Sequence, residues 1–153
     1  MKILVIRLSS IGDIVLTTPV VRCLKKQIPA AEIHFLTKIS YREIIEHNPY
    51  IDVKHLLKDD LKKIIGELKK EKFDFVVDLH NNIRTWKIKT ALRRRSDTVN
   101  KINFEKWLYV NSKWNIMPAA HIVDRYMNTV RSLKVLNDGK GLDYFISQKD
   151  EIT

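Results

Sequence analysis

The opening of the chain constrains the fold more than any other stretch. Ile3 to Ile6 form an unbroken apolar run between Lys2 and Arg7. Such a run reads as a strand buried on both faces, the pattern of a parallel sheet. It leads into a small-residue turn, Ser9-Ser10-Ile11-Gly12, and a helix is expected to open at Asp13. The turn therefore falls at the carboxyl end of a first strand, where open α/β sheets collect their ligands. A carboxylate at this position meets a helix N-terminus and the edge of a cleft.

The remaining elements alternate in the same way. Ile3–Arg7 is expected as the first strand, and Asp13 to Gln27 as a helix stopped by Pro29. Pro19 lies within that span, so the helix either kinks there or restarts with Pro19 at its first position. Glu32–Leu36 reads as a strand, Tyr41–Glu46 as a short helix and Val53–Leu57 as a third strand. Asp59 and Asp60 can cap the next helix, whose buried stripe is Leu61, Ile64, Ile65 and Leu68. Phe73–Leu79 is rich in aromatic and β-branched residues and reads as a strand. A helix over 82–92, a strand at Thr98–Ile102, a short helix at 104–108 and a long amphipathic helix from Ala120 to Leu133 complete the series. Strands alternating with helices predict an α/β domain, a Rossmann-like parallel sheet with helices on both faces.

Several functions are disfavoured. The first turn has one glycine, Gly12, where the dinucleotide fingerprint needs three, and no Gly-Lys-Ser/Thr of a phosphate-binding loop occurs. No apolar run approaches the roughly 20 residues of a membrane span, and no small-residue cleavage site follows the first strand, so a cytoplasmic location is expected. Cys23 is the single cysteine, which excludes an intrachain disulfide and suggests a small core side chain.

The formal charge is +10, and its excess is local. Residues 81–113 hold 9 Lys/Arg against 2 Asp/Glu. A field of this sign attracts a polyanion, whether nucleic acid, an anionic membrane or a phosphorylated glycolipid. No helix-turn-helix, aromatic RNA platform or zinc spacing accompanies it, which makes nucleic acid the weaker reading.

The candidate site residues follow from their positions. Asp13 is either a ligand-facing carboxylate or a helix-start residue favoured by the dipole. Ser9 and Ser10 either contact substrate or satisfy the backbone of the turn, and Gly12 leaves room for close approach. His80, Asn81 and Asn82 follow the strand ending at Leu79, again at the carboxyl edge, where polar residues can meet a ligand. A metal at His80 is not expected, since no second ligand stands at a telling spacing. Arg84 and Arg93–Arg95 present guanidinium forks suited to phosphate. His121 and Arg125 are neighbours on one helix face, and that helix N-terminus can face anionic sugar groups. Trp86, Trp107 and Trp114 are assigned to packing.

Arg7, Ser9, Ser10, Gly12, Asp13, Leu16, Thr17, Thr18 and Pro19 together resemble the start of the family 9 glycosyltransferases, the heptosyltransferases of lipopolysaccharide core assembly. Asp78-Leu79-His80 and His121-Ile122-Val123-Asp124-Arg125-Tyr126 extend the resemblance over nearly the whole chain, and over the first half of the family's usual length. Asn81-Asn82 departs from the glycine or other small residues the family often has there, which puts the identity of the acceptor in doubt.

The resemblance implies the N-terminal half of a GT-B enzyme, two Rossmann-like domains facing a cleft. It implies acceptor binding by this half and binding of the donor, ADP-heptose, mainly by a C-terminal domain. The implied chemistry is inverting transfer of heptose or a related sugar, without a metal or a cofactor. Asp13 corresponds to the residue regarded as the catalytic base. Ser9, Ser10, Gly12, His80, Asn81, Arg84, His121 and Arg125 are the expected acceptor contacts. The expected partners are a phosphorylated glycolipid of lipid A-core type, the nucleotide sugar through the second domain, and the anionic inner-membrane face. Residues 1–140 are expected to form the acceptor domain, and 141–153 the start of an interdomain linker. Alone, the chain is expected to be inactive. The alternatives are a basic nucleic-acid-binding α/β module and a non-catalytic sugar or nucleotide domain.

Overall fold

The computed structural model describes residues 1–100 and 118–146, and the side chains of these apart from 118–121. Among them, β1 (Lys2–Ile6), β2 (Glu32–Lys38), β3 (Val53–Leu57), β4 (Phe75–Asp78) and β5 (Arg95–Thr98) form one sheet ordered β3-β2-β1-β4-β5. Every neighbouring pair is parallel. The helices are α1 (Ile11–Val15), α2 (Thr18–Gln27), α3 (Arg42–Glu46), α4 (Leu61–Glu71), α5 (Ile83–Leu92) and α6 (Pro118–Thr129). Short 3-10 turns lie at Ile39–Tyr41 and Arg131–Leu133.

The apolar run of β1 has no polar break because both faces are covered. Ile3, Leu4, Val5 and Ile6 are all fully buried. Ile3 and Val5 pack with Ile33, Phe35, Phe75 and Val77 against α2 and α6, through Val20, Leu24, Tyr126 and Met127. Leu4 and Ile6 pack with Leu36 and Val76 against α4 and α5, through Ile64, Leu68, Ile88 and Leu92. Each such side chain contributes roughly 1.5–3 kcal/mol by leaving water. Cys23 is part of this core. The strand order reverses between β1 and β4, so the carboxyl ends of these two strands form the switch point of the sheet.

The observed elements correct several expectations. Over 13–27 the restart, one of the two forms expected, is the one found: α2 begins at Thr18 with Pro19 next, while α1 opens at Ile11, two residues earlier than expected. Pro19 lacks an N–H, and a helix start needs none there. The strand expected at Thr98–Ile102 is instead β5 at Arg95–Thr98, taking in Arg95 of the basic run. It is an edge strand with half-exposed residues, held by pairing Phe75 to Arg95 and Asp78 to Thr98. Trp86 is 61% exposed, on the solvent face of α5, and is not a packing residue. The helix expected at 104–108, Trp107, Trp114 and the lysines at 101, 106 and 113 lie outside the described residues.

Residues 134–146 run back along α2, fastened by a buried guanidinium. Arg22 is 2% exposed. Its Nε and Nη2 donate to the two carboxylate oxygens of Asp138 at 2.8 and 2.7 Å, and Nη1 donates to Asp143 at 2.5 Å. The Gly141 carbonyl accepts from Nη2 at 3.0 Å, and the Asp143 N–H donates to Thr18 Oγ1 at 2.9 Å. A charge this deep is tolerated because all three guanidinium nitrogens donate, two of them to Asp138 and one to Asp143.

Candidate active site

Arg7 organises the switch point. It follows β1 directly, and its three guanidinium nitrogens take three different partners. Nε donates to the Ser9 carbonyl at 2.6 Å, Nη1 to the Leu79 carbonyl at 2.8 Å, and Nη2 lies 3.1 Å from Oδ2 of Asp13. One side chain thus ties the turn after β1 to the turn after β4 and holds the carboxylate between them. Nothing in the residue types around Arg7 marked this role. It depends on β1 and β4 being neighbours across 72 residues of chain.

Asp13 is the third residue of α1. The Ser10 hydroxyl donates to Oδ2 at 2.7 Å, and the Ser10 N–H donates to the same oxygen at 3.3 Å. With Arg7, all three polar contacts of the carboxylate fall on Oδ2, and among the described residues none falls on Oδ1. The side chain is 30% exposed, so the second oxygen can meet a ligand from solvent. This geometry fixes a carboxylate in one orientation and leaves one oxygen to accept a proton. Behind the pair, Tyr126 of α6 is 3% exposed, and burial pushes its hydroxyl pKa up to about 12. A neutral phenol therefore backs the charged pair.

The other turn residues are tied to one another and to the neighbouring strands. Ser9 gives its carbonyl to Arg7, and Ser10 gives its hydroxyl to Asp13. A Cβ placed on Gly12 would meet nothing within 4 Å, so the fold does not itself require glycine there, and the space beside Asp13 is open. Asp78, fully buried at the end of β4, accepts the N–H groups of His80 at 3.0 Å and Asn81 at 2.9 Å on Oδ1. Lys89 Nζ sits 2.9 Å from its Oδ2. Asn81 has a left-handed φ of 57° and donates from Nδ2 to the Val99 carbonyl at 3.0 Å. That amide ties the β4 turn to the end of β5. Asn82 caps α5, accepting the Thr85 N–H at 2.9 Å, while Thr85 Oγ1 accepts the Asn82 N–H at 3.0 Å. The His80 side chain is half-buried on the same turn.

Arg84 stands away from Asp13, in the exposed first turn of α5. It lines an open groove of about 610 Å³ with Lys38, Ser40, Lys58, Asp59 and Leu61. Lys38 ends β2 and Lys58 follows β3, so the groove runs along the carboxyl edge of the sheet. Its three cations against one carboxylate give it positive character. Arg93 and Arg94 lie at the opposite end of α5, and the structure does not bring them to this edge. Arg125 is half-buried on α6, with no ion pair among the described residues. His121 falls in the same helix, and its side chain lies outside the described set.

Known proteins resemble this chain in sequence and in fold. The chain is 29% identical over 136 residues to lipopolysaccharide heptosyltransferase 1 of Campylobacter coli, an alignment covering 83% of this chain and 40% of that protein. Among solved structures, a glycosyl transferase family 9 protein from Veillonella parvula superposes with a TM-score of 0.74 at 21% identity, over 97% of this chain and 46% of that one. The E. coli heptosyltransferase WaaC, solved with ADP, gives a TM-score of 0.69 at 17% identity, over 95% of this chain and 51% of that one. E. coli ADP-heptose lps heptosyltransferase II gives 0.55 at 22% identity, over 61% of this chain and 29% of that one. No family model matches the chain. The chain spans about two-fifths of the curated relative's length and between 29% and 51% of each of these structures. The expected Rossmann-like fold and the resemblance to heptosyltransferases both stand.

Proposed function

We propose that this chain is the acceptor-binding half of an inverting glycosyltransferase that moves heptose, or a related sugar, from a nucleotide sugar to a phosphorylated lipopolysaccharide-core acceptor. The observation that carries the reading is the Arg7–Asp13–Ser10 arrangement at the switch point. One carboxylate oxygen is held by three contacts, and the other is left for a ligand.

In this reading the acceptor hydroxyl lies against Oδ1 of Asp13. Its oxygen attacks the anomeric carbon as the bond to the nucleoside diphosphate breaks, and its proton passes to Oδ1. Attack from the face opposite the leaving group inverts the anomeric centre. Arg7 and Ser10 hold the base in place and contribute no proton. On the same reading the donor is bound outside these 153 residues, which match 40% of the curated relative's length, and they bind acceptor without turning over.

Lys38, Lys58 and Arg84 are placed to meet the acceptor's phosphates, with the guanidinium offering the fork geometry that phosphate prefers. His80, His121 and Arg125 complete the proposed acceptor surface. Ile83 and Trp86 are 73% and 61% exposed beside Arg84 and Lys87, a mixture suited to the headgroup region of an anionic membrane on its cytoplasmic face.

The test is an NMR titration of the chain with a phosphorylated Kdo-lipid A-type acceptor and, separately, with ADP-heptose. Shifts at Ser10–Asp13, His80–Arg84 and Arg125 with the acceptor, and little response to the nucleotide sugar, are expected. An oligonucleotide that shifts residues 84–113 while the acceptor shifts nothing would replace this reading with a nucleic-acid module.

A further inference from the structure

On the face of the sheet that packs on α4, toward the amino ends of the strands, two imidazoles point at each other. His34 of β2 is fully buried and His55 of β3 is 8% exposed. His34 Nδ1 and His55 Nε2 are 2.8 Å apart. His34 Nε2 is 2.7 Å from Oε1 of Glu32. Glu71, at the end of α4, brings a carboxylate to the same spot, and one ligand atom from each of His34, His55 and Glu71 falls within a 4.8 Å span. Among the described residues no other group of histidine, cysteine and acidic side chains converges in this way. The acceptor site plays no part in the cluster, which lies away from the carboxyl edge.

We infer that His34, His55 and Glu71 form a binding site for a divalent transition metal, with zinc the best match to the donor set. Two imidazole nitrogens and one carboxylate oxygen are zinc's usual ligands, and water would complete four-coordination. Glu32 supplies the supporting contact such sites need. By accepting the His34 Nε2 proton it fixes the tautomer in which Nδ1 carries a lone pair toward His55. In the metal-free pair the His55 Nε2–H donates to that lone pair. Metal binding needs the His55 proton on Nδ1 instead, a shift between tautomers that releases none.

Two ligands at ~2.0 Å from a tetrahedral ion stand about 3.3 Å apart, so the rings must separate by about 0.5 Å and turn from their near-coplanar, head-on arrangement, 14° between planes, until both lone pairs meet the ion. Phe73 stands edge-on to both rings, 5.0 and 6.2 Å between centroids, and walls off one side. A groove of about 260 Å³ between β3 and α4 has His55 in its wall and gives entry from solvent. Lys2 Nζ lies 3.3 Å from Glu71 and 4.0 Å from Glu32, and Glu67 and Asp60 share the groove wall with Lys54, Lys58 and Lys63, so carboxylates and ammonium groups balance around the entry. The partly exposed Lys2 side chain can swing into solvent as the ion enters.

The experiment is a titration of the chelator-treated chain with Co²⁺, read by the visible d–d bands of a tetrahedral site, followed by displacement with Zn²⁺ and a thermal melt. The expected result is one equivalent of tight binding, a higher Tm with Zn²⁺, and loss of the bands in His55→Asn. Glu71→Gln changes a residue at the surface end of α4, so it keeps the test informative if the histidine variant does not fold, and it too should lose the tetrahedral spectrum. Glu32→Gln should keep the spectrum and weaken binding about 10- to 100-fold. No tetrahedral spectrum, or a spectrum unchanged in both Glu71→Gln and a folded His55→Asn, would overturn the inference.

Discussion

Nη2 of Arg7 stands 3.1 Å from Oδ2 of Asp13, while the other two nitrogens of the same guanidinium hold the carbonyls of Ser9 and Leu79. The carboxylate is therefore positioned by a side chain that is itself fixed at both turns of the switch point. In a protein carrying this domain together with its donor-binding half, Asp13→Asn should lower kcat by about 10²–10⁴ with little change in acceptor affinity, since the loss is of proton transfer. Steady-state kinetics read both numbers. An unchanged kcat would remove Asp13 from the chemistry.

Arg7→Lys keeps the charge but cannot serve three partners in three directions. It should lower kcat at nearly constant acceptor affinity, as steady-state kinetics would read. A residue that merely supported the fold would move Tm and leave kcat of the folded enzyme in place.

The groove cations Lys38, Lys58 and Arg84 predict acceptor binding that weakens with salt. Arg84→Gln should cost about tenfold in affinity, of the order of one lost charge-assisted contact, and should flatten the salt dependence. Calorimetry at two ionic strengths checks it. Trp86→Ala should change the unfolding free energy by less than about 0.5 kcal/mol because the ring is in water. It should nonetheless weaken binding to anionic vesicles.

Arg22→Met should destabilise the fold by about 2 kcal/mol, by leaving Asp138 and Asp143 without their charged donor. The Arg22 hydrogen bonds hold the Asp138 carboxyl well below the usual carboxylate range. The folded pKa lies under the unfolded value of about 3.9, so the stabilisation is whole above that pH and is lost as pH falls below it. Melts from pH 6 to pH 2 should show a steeper acid loss in wild type than in Arg22→Met, where the carboxylate titrates nearer its ordinary value.

The buried strands were legible because a parallel sheet covered on both faces needs continuous apolar runs, and Ile3–Ile6 and Phe75–Val77 supply them. β5 was misplaced because Arg95-Ser-Asp-Thr carries no such signal; its place comes from pairing with β4. Asp13 and Ser10 could be picked out by position, since turn and helix start adjoin in sequence. Arg7, Lys38 and Lys58 could not, because their partners lie on other strands and only the strand order brings them together. Asn81 reads as a ligand-facing polar residue until its left-handed backbone and its bond to Val99 give it a structural task. His34 and His55 share a face of adjacent strands, a parity that can be read from sequence once the β2–β3 register is known.

The bridge from Arg7 to Leu79 also sets how the site fails. Loops at sheet edges commonly open on their own, well before the molecule unfolds, and their amides exchange quickly with solvent. Here the turn bearing Asp13 is stitched to the turn after β4, and the Leu79 N–H is itself bonded to the Ile6 carbonyl at 3.0 Å. Freeing the carboxylate means parting the two central strands. The amides around Asp13 should then exchange with deuterium at rates that track global unfolding, and acceptor binding on heating should hold until the sheet itself melts.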